Sequence, residues 1–381
     1  MIRIVNKKNC CGCSACVQRC PRKCISMQTD KEGFAYPVVD TTKCSDCGLC
    51  EKACPVINQQ PQSQPIATYA ATNSNEVVRE QSSSGGIFTL LAAETINKGG
   101  IVFGAAFNEK WAVEHTFADN IDDIKKFRGS KYVQSNIGGS YSVAEKFLKE
   151  GKEVLFSGTP CQIAGLKRFL RKEYKNLKTV DFVCHGTPSP LVWEKYLNEV
   201  CSANLVATIS DIQFRNKAEG WKKFSLQITY TGNDGKEKIF REPLNKNLYM
   251  RCFLGDLCLR PSCYQCPARN GKSGTDITLG DLWGAEQICP EIDDDKGLSL
   301  VLLRKECGLP YFDKTPIPYS EALKYNPSIE RDVHKPHKRR KFVRLVYKNS
   351  VCKATQTCTA QNKFEVIWNK IVWNIKNRII K

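Results

Sequence analysis

Apolar and polar positions follow one pattern up to residue 58 and another from residue 66. The first stretch is cysteine-rich and turn-rich, and the polar segment QQPQSQP at 59–65 follows it as a linker. Farther along, apolar runs of strand length alternate with longer runs of helical period. The predicted strands are 66–72, 99–107, 153–158, 179–186 and 224–230, and the predicted helices are 85–98, 140–150, 162–174 and 190–200.

This alternation predicts the class of fold. Strands that alternate with helices are typical of an α/β domain whose sheet is mixed and partly parallel. We place that domain at 66–326 and a basic tail at 327–381. The stretch 1–58 is predicted to be a separate α+β ferredoxin-like domain, because its cysteines occur as a repeat.

The N-terminal cysteines form two copies of C-x2-C-x2-C-x3-C-P. In a two-cluster ferredoxin the fourth cysteine of each copy ligates the other [4Fe–4S] cluster. A lone C-x2-C is often a zinc site, but two complete copies, each followed by proline, favour two clusters. The predicted ligands are Cys10, Cys13, Cys16 and Cys54 for one cluster, and Cys20, Cys44, Cys47 and Cys50 for the other. Cys11 and Cys24 stand outside the pattern and are predicted to pack near the clusters.

Further cysteines lie in three segments of the larger domain. Cys161 and Cys184 each follow a predicted strand, and loops at strand ends gather to form sites in open α/β sheets. Cys263 and Cys266 form a C-x2-C pair. These four cysteines are predicted to hold a third [4Fe–4S] cluster. The alternative is that Cys161 and Cys184 are buried apolar residues and that the pair binds zinc or nothing.

Two other segments are candidates for binding the phosphates of a redox cofactor. Neither G-x-G-x-x-G after a strand nor G-x4-G-K-[ST] occurs. The run 81–86, QSSSGG, opens a predicted helix, whose first N–H groups and dipole attract anions. The same run is equally typical of an N-cap and a turn. The second segment, RGSKY at 128–132, is basic and hydroxyl-bearing, and its alternative is a solvated surface loop.

The net charge of +18 is concentrated in the tail. From Arg331 onward 14 lysines and arginines oppose only Asp332 and Glu365, so the tail carries +12 and the other residues +6. The chain has no base-reading motif, and nucleic acid is therefore disfavoured as a partner. An apolar stripe with basic flanks predicts an amphipathic helix at about 363–381. Such a helix packs on the body, packs on a partner subunit, or makes peripheral contact with an anionic membrane.

The cysteine content and the start of the chain indicate a compartment. MIRIVNKKNCCGC has no apolar signal-peptide core, and no run approaches the roughly 18 apolar residues of a membrane span. In the reducing cytosol, clustered cysteines bind metal rather than form disulfides. The sequence therefore predicts a cytoplasmic protein, with the inner face of the membrane as a further location through the tail.

Eight segments, taken in order, resemble a known family. They are SSSGGIFT (82–89), FRGSKYVQS (127–135), SGTPCQIAGL (157–166), DFVCHGTPSP (181–190), FRNKAEGW (214–221), LRPSCYQC (259–266), DITLGDLWG (276–284) and DDDKGLSLVL (293–302). The chain resembles the beta subunits of coenzyme F420 hydrogenase and dehydrogenase, fused to an N-terminal dicluster ferredoxin. The forms CHGTPSP and GDLWG are more similar to a bacterial branch found with surface-polysaccharide genes than to the deazaflavin-using subunits.

The resemblance implies a function and its residues. It implies a flavin, FAD, near Ser83, Ser84, Gly85, Gly86 and Lys131, and it supports the third cluster. We expect an iron–sulfur flavoprotein oxidoreductase acting on an unidentified organic substrate, in surface-polysaccharide metabolism, with a redox partner protein or reduced ferredoxin. His185 is the candidate proton donor, and its alternative is a loop-fixing histidine. The rival function is a pure electron-transfer subunit that serves a partner enzyme.

Overall fold

The two cysteine motifs each contain a single-turn helix, and a short hairpin lies between them. A computed structural model describes residues 1–348 and 350–360 of the chain. The N-terminal elements are α1 (Ala15–Gln18), β1 (Ile25–Thr29), β2 (Ala35–Val39) and α2 (Leu49–Lys52). β1 and β2 pair antiparallel, with Ile25 opposite Val39. This is the small α+β unit that the repeat predicts.

The larger domain begins with alternating strands and helices. In order they are β3 (Ala67–Thr72), α3 (Glu76–Glu80), α4 (Ile87–Asn97), β4 (Ile101–Phe107), β5 (Val113–Ala118), α5 (Ser140–Lys149), β6 (Val154–Ser157), α6 (Pro160–Leu170), β7 (Leu177–Phe182) and α7 (Pro190–Ala203). The predicted helix 162–174 starts and ends earlier than expected. Thr159 forms a capping box with Gln162, and Arg171 takes the left-handed backbone that ends a helix.

The second half of the domain adds a hairpin and the remaining strands. These are β8 (Val206–Asn216), β9 (Ser225–Gly232), β10 (Glu237–Pro243), α8 (Leu248–Leu254), β11 (Ile277–Asp281), α9 (Ala285–Ile288), β12 (Ser299–Leu303), β13 (Asp313–Pro316), α10 (Tyr319–Tyr325), α11 (Arg339–Lys348) and α12 (Val351–Thr359). β8, β9 and β10 form a separate antiparallel sheet.

The main sheet has eight strands in the order β13-β3-β12-β11-β7-β6-β4-β5. β11, β7, β6 and β4 pair parallel, whereas β5, β12 and β13 pair antiparallel with their neighbours. The prediction of a mixed, partly parallel sheet is confirmed. The predicted strand 179–186 ends at Phe182, so Cys184 lies in the loop beyond the carboxyl end of β7.

The N-terminal domain packs directly onto the helices of the main sheet. Cys11 and Cys13 share a hydrophobic cluster with Phe156 of β6 and Leu166 of α6. The linker follows the surface of the larger domain, because Ser63 Oγ donates a hydrogen bond to the Gly271 carbonyl at 3.1 Å. The cysteine motifs and the sheet are therefore in contact.

Part of the basic tail belongs to the core. Phe342 of α11 and Val351 of α12 are fully buried in the same cluster as Trp193 of α7. The predicted amphipathic helix at 363–381 lies outside the described residues. No helix among residues 1–348 and 350–360 is long and apolar enough to cross a membrane.

Candidate functional site

The cysteines predicted to hold the second ferredoxin cluster face one cavity at the surface. We call Cys20, Cys44, Cys47 and Cys50 the outer group. All four line the same cavity, together with Met1 and Cys24. Cys47 is exposed to solvent. Backbone N–H groups approach two of the sulfurs, from Ile2 to Cys50 Sγ at 3.2 Å and from Asp46 to Cys44 Sγ at 3.4 Å.

The other ferredoxin ligands lie deeper. We call Cys10, Cys13, Cys16 and Cys54 the inner group. Burial, followed by the charges of Cys10 and Cys54, raises the pKa of Cys16 to about 12. Burial is also the largest cause that raises the pKa of Cys54. Because burial, and to a smaller extent like charges, disfavour ionisation, the protonated thiol is favoured at Cys16 and Cys54 until iron displaces the proton.

The four cysteines predicted to hold a third cluster also come together. We call Cys161, Cys184, Cys263 and Cys266 the third group. Cys161 is the second residue of α6, which follows β6, and Cys184 follows β7. Cys263 lies on a short helical turn, Pro261–Gln265, and Cys266 directly follows that turn. Parallel β6 and β7 place their loops at one edge of the sheet, so residues distant in sequence meet there.

The electrostatics of the third group are those of closely placed buried thiols. Burial and the charge of Cys263 raise the pKa of Cys184 well above its ordinary value. Burial and the charge of Cys161 raise the pKa of Cys266 to about 12. Thr187 N–H donates to Cys263 Sγ at 3.4 Å. Four thiols with a backbone donor are a ligand set that fits a [4Fe–4S] cluster.

The described residues do not form a site for a single metal ion. Across 1–348 and 350–360, no three His, Cys, Asp or Glu side chains converge closely enough to hold one. The irons of a cubic cluster occupy separate corners, so its thiolates stand farther apart than the ligands of one zinc ion. All three cysteine groups remain predicted cluster ligands.

Cys11, which lies outside the motif, connects two of the groups. Its buried thiol interacts with Cys13 of the inner group and with Cys161 of the third group. Nearby, a Cβ added at Gly165 of α6 would lie 2.9 Å from Cys13 Sγ. The helix that carries Cys161 in its first turn therefore touches the ferredoxin domain one turn later. Sequence spacing could not show this contact, because it joins segments about 150 residues apart.

The two predicted phosphate-binding segments meet in the structure. Ser83 Oγ accepts hydrogen bonds from Ser130 N at 2.6 Å and from Ser130 Oγ at 2.9 Å. Gly86 has φ +83° and begins α4 without a side-chain cap, which leaves first-turn N–H groups of that helix without a side-chain acceptor. Within the described part of the chain, the half-buried Lys131 donates to the carbonyls of Arg128 and Gly129.

The charge of Lys131 and the N–H groups of these segments decide whether an anion fits there. Burial lowers the pKa of Lys131 to about 8, and the charge of Asp211 partly opposes that shift. A half-buried ammonium, on a loop that is hydrogen-bonded to the loop before an uncapped helix N-terminus, fits a phosphate group. Ser84 and Gly85 of the run are already engaged, since Ser84 Oγ donates to Leu298 O and Gly85 N donates to Ser299 Oγ. Their hydrogen bonds shape the loop rather than face a ligand.

His185 is held by an acidic partner. Its Nε2 lies 2.6 Å from Asp256 Oδ1, and its ring packs edge-on against Phe253 at 5.1 Å. Asp256 has a left-handed backbone with φ +57° and was not predicted as a partner. This geometry fits a loop-fixing role and also a proton donor oriented by a carboxylate.

A largely buried charge pair, Arg215 with Asp281, lies at the same edge of the sheet. Arg215 donates to Asp281 Oδ2 at 2.7 Å, and Trp221 Nε1 donates to Asp281 Oδ1 at 3.2 Å. The rings of Trp221 and Trp283 stack 5.1 Å apart at 3°. Arg215 and Trp221 lie in the FRNKAEGW segment, so a signal for them was present, but no role was predicted for either.

Comparisons with known proteins identify three regions. The model of the 4Fe-4S dicluster domain matches residues 9–58. The models of the coenzyme F420 hydrogenase/dehydrogenase beta subunit match with their N-terminal part at 68–139 and with their C-terminal part at 151–317. Together these two parts cover more than half of the chain. The predicted dicluster domain and family are confirmed, whereas the polysaccharide-associated branch remains a prediction.

Relatives match over most of the chain at low identity. One of the components of the F420H2 dehydrogenase of Methanosarcina mazei is 23% identical over 327 residues, which is 81% of this chain and 83% of the relative. An uncharacterized protein of Methanocaldococcus jannaschii is 24% identical over 84% of this chain and 90% of its own length. A chain of the F420-reducing [NiFe] hydrogenase complex from Methanosarcina barkeri matches with a TM-score of 0.43 and 16% identity, over 77% of this chain and 89% of that one.

Proposed function

Because the chain belongs to the family of coenzyme F420 hydrogenase/dehydrogenase beta subunits and carries a dicluster domain, we propose that it is an iron–sulfur flavoprotein oxidoreductase. When bound, the clusters supply one-electron transfers and a flavin, proposed to be FAD, supplies hydride transfer to an organic substrate. The proposed substrate class is that of surface-polysaccharide metabolism.

One observation carries this proposal: the three cysteine groups follow one another from the surface to the edge of the sheet. Cys47 is exposed on the outer group, so a redox partner protein can approach it. The charge of Cys50 acts on Cys16, which places the outer group beside the inner group. Cys11 then connects the inner group to Cys161. The chain thus holds its proposed ligands in a continuous series.

The proposed flavin site lies at the same edge. The hydrogen bond from Ser84 Oγ to the Leu298 carbonyl holds Ser84 next to the start of β12. β12 is the neighbour of β11 in the sheet. We propose that the N-terminus of α4 and the ammonium of Lys131 hold the cofactor phosphates, while Ser83 fixes the two loops against each other. These residues bind and orient the cofactor without supplying its redox chemistry.

Metal content tests the cysteine assignment. Anaerobically purified protein should contain about 12 Fe per chain, four for each of three groups. Cys263→Ser should lose about four of them, because a third-group ligand is removed. Cys307→Ser is the control, since Cys307 is a half-buried thiol outside all three groups. Wild-type protein with about 8 Fe would eliminate the third cluster and leave the ferredoxin domain.

A charge substitution tests the flavin site. In Gly86→Asp a carboxylate would stand at the start of α4 and repel the cofactor phosphates, so flavin content should fall while iron is retained. Gly86→Asn is the matched control, because its side chain has nearly the same size without the charge. Flavin is measured by absorbance after denaturation. Equal flavin in both variants and wild type would place the phosphate site elsewhere.

A pure electron-transfer subunit is the second candidate function. The relative in Methanosarcina mazei is described as a subunit of a dehydrogenase, and that name favours a part of a complex. An enzyme should turn over a substrate with a chemical reductant in the absence of other proteins, whereas a carrier should only pass electrons to its partner. His185→Gln should abolish such turnover and preserve flavin reduction if His185 donates a proton.

A further inference from the structure

Arg260 is a buried arginine between the ferredoxin domain and the larger domain. It lies in the LRPSCYQC segment, and only 1% of its surface is exposed. Its Nε donates to the Cys10 carbonyl at 2.8 Å, and Nη2 donates to the Ala35 carbonyl at 2.9 Å. Nη1 donates to Gln134 Oε1 at 3.0 Å. One side chain of the larger domain thus fixes two segments of the ferredoxin domain.

The guanidinium also reaches a predicted cluster ligand. Nη2 lies 3.5 Å from Cys10 Sγ, within reach of a weak hydrogen bond to sulfur. On its other face the guanidinium packs over the Tyr36 ring, 4.4 Å from the centroid. The sulfur and the ring leave no room for water around this charge, so any interaction it makes there is poorly screened.

The charge of Arg260 has no acidic counterpart in the described part of the chain. Its hydrogen-bond acceptors there are carbonyl groups, an amide oxygen and a sulfur, and no carboxylate oxygen lies within 4 Å. Burying an unpaired cation is costly, so buried guanidinium groups normally face an anion. Arg339, which also joins the two domains, does have one in Glu32.

Four thiolates around a four-iron core supply such an anion. We propose that Arg260 is a positioning residue that neutralises part of the negative charge of the inner cluster and thereby raises its reduction potential. This inference rests on the iron–sulfur part of the proposed function and is independent of the flavin. Hydrogen bonds to sulfur and nearby charge are two of the factors that set cluster potentials. The positive charge also faces the third group, because it acts on Cys161 and Cys263.

The test is a redox titration followed by electron paramagnetic resonance. Arg260→Gln should make reduction of the inner cluster about tenfold less favourable, which is about 59 mV for a one-electron couple. The outer cluster is the internal reference, and its signal is assigned by its loss in Cys47→Ser. Arg260→Lys keeps the charge but loses the several N–H donors of the guanidinium, so it should make the same reduction about threefold less favourable.

Arg339→Gln is the matched control. Arg339 is similarly buried and donates to the Leu259 carbonyl at 3.0 Å, but none of its hydrogen bonds within residues 1–348 and 350–360 reaches a sulfur. It should leave the inner potential unchanged. An unshifted inner potential in an Arg260→Gln protein with full iron overturns the proposal, as does an equal shift in Arg339→Gln. If Arg260→Gln does not assemble, Arg260→Lys decides, and a potential equal to wild type overturns it. Protein without any iron would instead refute the proposed function.

Discussion

The two copies of the cysteine motif have the same spacing and similar backbone angles, but the first is packed against the larger domain and the second is open. Gly12 and Ser14 in the first copy have positive φ, as do Asp46 and Gly48 at the corresponding positions of the second. A Cβ added at Gly12, the counterpart of Asp46, would lie 2.7 Å from Arg260 Nη1, whereas nothing lies within 4 Å of one added at Gly48, the counterpart of Ser14. Motif spacing therefore fixes the local geometry of the ligands, while the neighbours decide how each copy can be used.

The largest expected difference follows from removing one ligand in each copy. Cys13→Ser and Cys47→Ser should each lose about four Fe. Only Cys13→Ser should also weaken the contact between the domains, because Cys13 is buried against Gly165 of α6. Iron per chain and the denaturant midpoint measure the two effects. Equal midpoints in the two variants would contradict the contrast between the copies.

Alanine at the two glycines sharpens the comparison. In Gly48→Ala only the left-handed backbone is strained, which costs about 1–2 kcal/mol. Gly12→Ala has the same strain and adds overpacking against Arg260, about 1–3 kcal/mol more. The free energy of unfolding should therefore fall by about 2–5 kcal/mol in Gly12→Ala. Equal losses at both positions would mean that the interface adjusts around the new methyl group.

The stability of the larger domain should depend on pH on the side that packs against the first motif copy. His115 is buried there, and Gln162 of α6 donates to Ser135 Oγ at 2.8 Å, which lies 2.9 Å from His115 Nδ1. Burial lowers the pKa of His115 to about 4. The unfolded chain, with an ordinary imidazole pKa near 6.5, therefore binds more protons between about pH 4 and 6.5. The contribution of His115 is complete above that window and falls as the pH decreases through it.

Below the window this loss amounts to about 3 kcal/mol. His115→Gln should reduce the difference between unfolding free energies at pH 7 and pH 5, and the denaturant midpoint at each pH measures it. His334→Gln is the control, since His334 is exposed. An unchanged pH dependence in His115→Gln would show that other groups cause the acid sensitivity.

The predictions from sequence succeeded where the residues of a short segment are enough to determine its local structure. The alternation of apolar runs predicted strands such as β4 and β6, because burial on both faces requires continuous apolar residues. The proline-terminated cysteine repeats predicted the dicluster domain. Of the larger domain's strands, β5, β8 and β10 to β13 were not predicted. β10 has no buried residue and carries few of the apolar signals that mark a strand, whereas β12 was missed although it is fully buried.

In the candidate site, too, local features were predicted and long-range partners were not. Its loops were predicted from the strand that precedes each of them, as with Cys161 and Cys184. The partners Asp256 and Arg260 were not assigned roles, because a hydrogen bond across 71 or 250 residues leaves no periodic signal in the chain.

The sequence by itself determined the cysteine spacing, the alternation of strands and helices, and the family of the larger domain. Only the tertiary structure decided which motif copy faces inward, that Cys11 lies between two cysteine groups, and that α11 and α12 join the core. The physical reason is that spacing constrains a chain over a few residues, whereas burial and charge pairing depend on which distant segments pack together. Arg260 shows the difference, because its sequence position indicates a loop and its contacts indicate a junction between domains.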